Sequence, residues 1–263
     1  MKLVKKILKI FGVITLILLG AIFILVFDMR ASIPDQQFAL EKNDQSTVEG
    51  NDGYLLFGAT RNTGLEVARI LVARGDKVTA FIRLSSNRSD LEQLGVDIVV
   101  GDALNVNTVN AAFADKNYYA VLSTIGCFNC DPPVDFVGNM NIVDASVQAG
   151  IQRMLMITTI GAGDSYAAAP WLSARFLAGM IPMKTQAEEH LRSSKLDYTI
   201  IRPGGLRSGS STGRGVLSED KDTFGYINRK DLAELIVACF DDQQTIGKTL
   251  AAVDGTTKWP WGN

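Results

Sequence analysis

A chain of 263 residues, 47% of them hydrophobic, can bury one large core, and a single α/β domain of about 200 to 250 residues fits that length. A net charge of −2, with no dense Lys/Arg stripe beyond residue 50, argues against electrostatic binding of nucleic acid, so no nucleic-acid partner is expected. The single histidine, His190, excludes a multi-histidine metal site, and three cysteines (Cys127, Cys130 and Cys239) are too few for a disulfide-stapled scaffold.

Residues Ile10 to Phe27 carry no charge, and a helix of that length spans roughly 27 Å, close to the thickness of a bilayer's hydrocarbon core. The run is longer than the apolar region of a secretory signal, which is about 7 to 15 residues, and it exits through Phe27-Asp28-Met29-Arg30 rather than a small-residue cleavage site. Residues 1–27 therefore read as an uncleaved N-terminal transmembrane anchor and 28–52 as a polar linker without helical or strand period, a tether. Lys2, Lys5, Lys6 and Lys9 precede the helix and only Arg30 closely follows it, a bias that keeps the N-terminus in the cytoplasm and pushes the domain across the membrane.

From Gly53 to the end, 53–263, short apolar runs alternate with amphipathic segments, the pattern of βαβ units in a parallel sheet. Tyr54–Phe57 predicts a buried strand, Leu65–Ala73 a helix closed by Gly75, Val78–Ile82 a second strand, and Ser89–Leu94 a short helix closed by Gly95. Asp97–Val100 is a third strand, Asn105–Ala114 a helix, Ala120–Ser123 a fourth strand, Phe136–Ala149 a helix and Arg153–Thr158 a fifth strand. Thr185–Ser194 then predicts a helix, Tyr198–Ile201 a strand, Lys230–Asp241 a helix and Lys248–Val253 the last strand. The fold class expected is α/β, a single domain with a Rossmann-type doubly wound parallel sheet.

Gly58-Ala59-Thr60-Arg61-Asn62-Thr63-Gly64 falls between the first strand and the first helix, where a tight turn aims backbone N–H groups and the helix's positive end at a pyrophosphate. Only the outer glycines of the three-glycine fingerprint remain, so the weight comes from the flanking strand and helix. At the end of the second strand, where an NAD-binding protein places an acid for the ribose hydroxyl, the chain has Arg83 followed by Ser85, Ser86, Asn87 and Arg88. A guanidinium there matches a 2′-phosphate in charge and fork geometry, and Arg61 can reach the same group, so NADP is expected over NAD. Supply of that cofactor favours a cytoplasmic domain, against the lysine bias ahead of the apolar helix, and the two signals leave the face open. Cys127-Phe128-Asn129-Cys130 has the spacing of a redox dithiol but follows the fourth strand, so two small loop thiols fit as well; a short disulfide becomes credible if the domain lies outside the cytoplasm. His190 reads as an exposed helical residue, and the Trp259-Pro260-Trp261 tail either covers an edge or touches the membrane interface.

Taken in order, Gly58-Ala59-Thr60 with Gly64, Gly101-Asp102-Ala103, Thr124-Ile125-Gly126, Thr158-Thr159-Ile160-Gly161, Lys184 to Glu188, Tyr198 to Leu206 and Ile227 to Ala233 resemble the atypical short-chain dehydrogenase/reductases, the NmrA-like and biliverdin-reductase-B-like proteins, over about residues 53–253. The resemblance implies NADP across the C-terminal strand ends, with Asp102 and Ala103 flanking the adenine and Thr124 and Gly126 at the ribose and pyrophosphate. It implies Pro203 to Gly205 behind the nicotinamide and Lys184 on the nicotinamide ribose. Thr158 or Thr159 stands where relatives have a serine that orients the substrate carbonyl. The catalytic tyrosine that precedes the lysine by four positions is Met180 here, and a thioether donates no proton. Tyr166 is a possible substitute acid. Hydride transfer from NADPH to a small conjugated acceptor, a flavin, quinone or similar molecule, tolerates Met180, whereas simple ketone reduction does not. The alternative is a non-catalytic NADP-binding sensor or scaffold at the membrane. A sugar-nucleotide epimerase fits less well, because it needs the tyrosine and a larger C-terminal substrate region.

Overall fold

The computed structural model describes residues 2–41, 50–128 and 130–261, so most of the later half of the expected linker, 42–49, lies outside the described residues. Helix α1 (Lys2–Asp28) contains an apolar segment, Lys9–Asp28, none of whose residues is buried by the rest of the chain. Its length and composition are those of a membrane-crossing helix.

The domain then alternates β1 (Tyr54–Phe57), α2 (Asn62–Arg74), β2 (Val78–Ile82), α3 (Ser89–Gln93), β3 (Asp97–Val100), α4 (Val106–Ala111), β4 (Ala120–Ser123), α5 (Val137–Gln148) and β5 (Arg153–Ile157). These elements match the periodicity of the sequence closely, because β1, β2, β4 and β5 are short apolar runs buried on both faces, β3 is a half-covered strand at the sheet edge, and the longer helices carry an apolar stripe. Helix α6 (Trp171–Phe176), α7 (Ile181–Ser193), β6 (Asp197–Pro203), β7 (Gly205–Arg207), β8 (Gly215–Ser218), β9 (Tyr226–Asn228), α8 (Arg229–Asp241) and β10 (Lys248–Asp254) complete it.

Eight strands form one sheet in the order β3-β2-β1-β4-β5-β6-β10-β8. All neighbours are parallel except β8, which runs antiparallel on the edge of β10. Alternate residues of β1 enter two cores: Leu56 packs with the apolar stripes of α2 and α8 on one face, Leu55 and Phe57 with those of α4, α5 and α7 on the other. The chain order reverses between β1 and β4, and the crevice above that point is the usual ligand position in such sheets.

One unassigned stretch gains structure and two expectations are revised. In the region 204–228, β7 and β9 pair as a separate two-stranded parallel sheet and β8 joins the main one, short segments whose Gly/Ser-rich surroundings gave no strand period. Helix α7 starts at Ile181 rather than Thr185, with Pro182 in its first turn, where its missing N–H costs nothing. The segment after α1 is a strap rather than a free tether over its first part. Ala31 N donates to Lys258 O, Ser32 bridges to Phe224, Phe38 bridges to Leu217, and Glu41 N donates to Asp242 Oδ2 at 2.8 Å.

Candidate functional site

The C-terminal strand ends open on a cleft of about 890 Å³ lined by Gly58, Thr60, Arg61, Asn62, Thr63 and Gly64 on the first turn, by Arg83, Asp102 and Ala103 on one flank, and by Thr124, Gly126, Thr158, Thr159, Lys184 and Pro203 on the other, all residues expected to bind cofactor or take part in the chemistry. Tyr166 is outside it, on an exposed turn, which removes it as the substitute acid. His190 is also outside, paired through Nε2 with Asp144 Oδ1 at 2.7 Å.

The first turn explains how the altered fingerprint still closes. Gly58 has φ +92, and a Cβ on Gly64 would sit 2.3 Å from Gly58 O, so both outer glycines are required by backbone geometry. Arg61, at the position of the missing middle glycine, is extended with φ −162, a conformation open to any residue. Asn62 takes the left-handed conformation at φ 54, which asparagine tolerates better than most residues. The turn therefore keeps the close approach of β1 to α2, and the substitution places a guanidinium in the cleft wall. Thr124 Oγ1 fastens the turn to β4 by donating to Phe57 O at 3.1 Å.

On the opposite flank, Lys184 Nζ lies 2.8 Å from Asp135 Oδ1, with side-chain exposures of 8% and 0%. A Cβ on Gly126 would come within 2.9 Å of both atoms, so the glycine is the gap through which the lysine reaches the acid. Asp135 Oδ2 also accepts from Cys127 N at 3.0 Å, tying the loop after β4 to the lysine. Asp135 was not anticipated from sequence: it lies in a loop of no regular period, 49 positions before Lys184.

The two threonines have different fates. Thr158 Oγ1 donates to Glu188 Oε1 at 2.6 Å, while Thr159 Oγ1 donates to Ile160 O at 3.1 Å. Glu188 is held in turn by Arg202, Nε to Oε1 at 3.0 Å and Nη2 to Oε2 at 2.6 Å, and by Arg192 at 2.8 Å. Arg202 also bonds Asp164 at 2.5 Å and holds that carboxyl below its ordinary value. Thr158 thus belongs to a buried ionic floor under the cleft, and its proton is committed there; Thr159 also lines the cleft, with its hydroxyl turned to the adjacent Ile160 carbonyl rather than to the ionic floor.

Met180 lines the cleft one helical turn before Lys184, on the same side of α7. Tyr226 also lines the cleft, but its OH donates to Met29 O at 2.7 Å, and burial pushes the phenol up to about 12, against the lesser pull of Arg207. Cys127 and Cys130 line the cleft as a disulfide with Cα atoms 5.6 Å apart.

These residues suit a dinucleotide. The first turn is a cradle that a Cβ would fill, two arginines, Arg61 and Arg83, line the cleft, and a buried lysine lines it as well. Comparison with known proteins agrees. A family profile described as NAD(P)H-binding matches residues 58–243. A Bacillus subtilis protein named as the uncharacterized sugar epimerase YhfK is 28% identical over 208 residues, covering 77% of this chain and 94% of that one. The anaerobillin reductase ChuY of Escherichia coli superposes with a TM-score of 0.72 at 29% identity, covering 78% of this chain and 98% of that one. A short-chain dehydrogenase/reductase of Veillonella parvula, solved in complex with NADP, shares the fold with a TM-score of 0.66 at 16% identity, over 80% of this chain and 97% of that one. The chain belongs to the NAD(P)H-binding family of Rossmann proteins, among the atypical short-chain dehydrogenase/reductases.

Proposed function

We propose that this protein is a membrane-anchored, NADPH-dependent reductase of a small conjugated acceptor such as a quinone or a flavin. The observation that carries the reading is the cleft itself, which joins Arg61 and Arg83 at one end to Lys184 and Thr159 at the other while holding Met180 where a proton-donating phenol would be needed for ketones. NADPH, when bound, supplies a hydride, two electrons and one proton, and the second proton of a two-electron reduction comes from water.

The residues of the chain supply position. The amides of the Gly58–Gly64 turn and the N-terminus of α2 receive the pyrophosphate. Arg61 and Arg83 pair with the 2′-phosphate, and their removal leaves NADH binding as it was. Asp135 fixes Lys184 so that its remaining N–H groups meet the ribose hydroxyls. Met180 and Leu177 line the acceptor end with apolar surface. The reductase named among the relatives supports the same class of reaction.

The test is a nicotinamide-fluorescence titration of the full chain in detergent with NADPH and with NADH. Arg83→Ala weakens NADPH by about tenfold or more and leaves NADH unchanged. NADPH is then consumed above background with a naphthoquinone or a flavin. Failure to bind either nucleotide, or an unchanged preference in the variant, ends the reading. A second reading, a non-catalytic NADP-binding sensor, draws on the commitment of the Thr158 and Tyr226 protons and on Met180. Tight NADPH binding with no turnover across a broad acceptor panel would select it.

A further inference from the structure

Helix α6 separates the cleft from the outside and has two unlike faces. Ala169, Ser173, Leu177 and Met180, at helical spacing through and beyond it, line the cleft. Trp171, Leu172 and Phe176 point away from it and are 63%, 39% and 69% exposed. Phe128, 48% exposed on the loop that carries the disulfide, stacks on Phe176 with ring centroids 5.7 Å apart. A contiguous apolar rim of this kind around a cavity mouth marks an interaction surface.

What it faces is given by its attachment. Trp171 N donates to Asp28 Oδ2 at 2.7 Å, so α6 begins where the 20-residue apolar segment of α1 ends. The next residue, Met29, lines the cleft. Ala31 N donates to Lys258 O, which brings the Trp259–Trp261 stack, with Trp261 68% exposed, to the same end of the domain. Tryptophans gathered around the exit of an apolar helix are the composition of a membrane–water interface, and the exposed Arg175 beside them suits anionic headgroups.

We propose that α6 and Phe128 are seated in the bilayer surface beside the anchor and form the gate through which a lipid-dissolved acceptor enters the Met180 end of the cleft. The proposal rests on the reductase reading for the acceptor's identity and on α1 as a membrane span for its geometry. It narrows the substrate class to hydrophobic, long-chain conjugated acceptors, taken from the bilayer rather than from water.

Two measurements test it on the full chain in phospholipid nanodiscs. In a Trp259→Phe/Trp261→Phe background Trp171 is the only tryptophan, and acyl-brominated lipids are expected to quench it strongly. Emission indifferent to bromine overturns the bilayer seat, and emission that instead follows protein concentration assigns the face to a second copy of the chain. The second measurement compares NADPH oxidation by a long-chain naphthoquinone dissolved in the bilayer with oxidation by a water-soluble sulfonated one. Leu172→Glu/Phe176→Glu is expected to lower the first rate by about tenfold or more and the second by less than about twofold, with NADPH affinity unchanged as the check on folding. Equal losses with both acceptors, or none with either, overturn the gate. Absence of turnover with both acceptors in the parent chain fails the reductase reading and the acceptor route together, and the quenching result then still decides the bilayer seat.

Discussion

The two ends of the cleft are built by different physics. The cofactor end, from Gly58 to Thr124, is made of backbone: two glycines brought into contact, a left-handed asparagine and a helix N-terminus, all set by residues close in sequence. The acceptor end, from Asp135 to Tyr226, is made of side chains from distant segments held by buried ion pairs, Lys184 with Asp135 and Arg202 with Glu188. The first end is fixed by local geometry and fails when a Cβ is added. The second is fixed by charge pairing and fails when one partner is removed.

The largest expected effect falls on the second end. Lys184→Met leaves the fully buried Asp135 carboxylate without its cation, which costs about 3–5 kcal/mol of stability, and Lys184→Met/Asp135→Asn recovers most of it, as followed by urea denaturation in detergent. If the single and the double variants unfold at the same urea concentration, the pair does not hold this end together. On the first end, Gly64→Val forces its Cβ into Gly58 O, and binding of NADPH and NADH alike is expected to fall about a hundredfold, roughly 2.7 kcal/mol, in the fluorescence titration. A retained affinity would show that the turn can open and that the backbone account of this end is incorrect.

Smaller is Thr158→Val, which removes one hydrogen bond to Glu188 while Arg202 and Arg192 still satisfy the carboxylate; a loss of about 1–2 kcal/mol in stability with unchanged NADPH affinity would separate the ionic floor from the cofactor end. The smallest concerns pH at the strap's edge of the domain. Burial pushes the Asp254 carboxyl up, but hydrogen bonds from Arg214, Thr256 and Thr257 outweigh it and hold it at about 2, below its ordinary 3.8. Its folded value is depressed, so its stabilisation is complete above pH 3.8 and is lost as pH falls toward about 2. Asp254→Asn should flatten that part of the acid-denaturation profile and leave neutral-pH nucleotide binding untouched.

The placement of the domain relative to the membrane bears on both ends. A reductase drawing on NADPH requires the domain on the cytoplasmic face, and a C-terminal reporter active only in the cytoplasm is expected to work. The lysines ahead of α1 and the Cys127–Cys130 disulfide pull the other way. A dark reporter would hand the protein to the second, non-catalytic reading.

The sequence by itself determined the α/β alternation, the turn between β1 and α2, the arginine after β2 and the Met180–Lys184 spacing, because each is a pattern within one segment or across one turn of chain. It also located the apolar helix. Tertiary structure decided what those residues face. That Thr158 turns to Glu188 and Thr159 does not, that Tyr226 closes on Met29, and that Asp135 meets Lys184 through the gap at Gly126 are contacts between segments far apart in the chain, with no periodicity to announce them. The strap over 29–41 and the β7, β8 and β9 strands escaped for the same reason. Their residues carry too little local preference to form structure alone, and they take their shape from the segments they pair with: the strap from Phe224 and Leu217, β8 from β10, and β7 and β9 from each other.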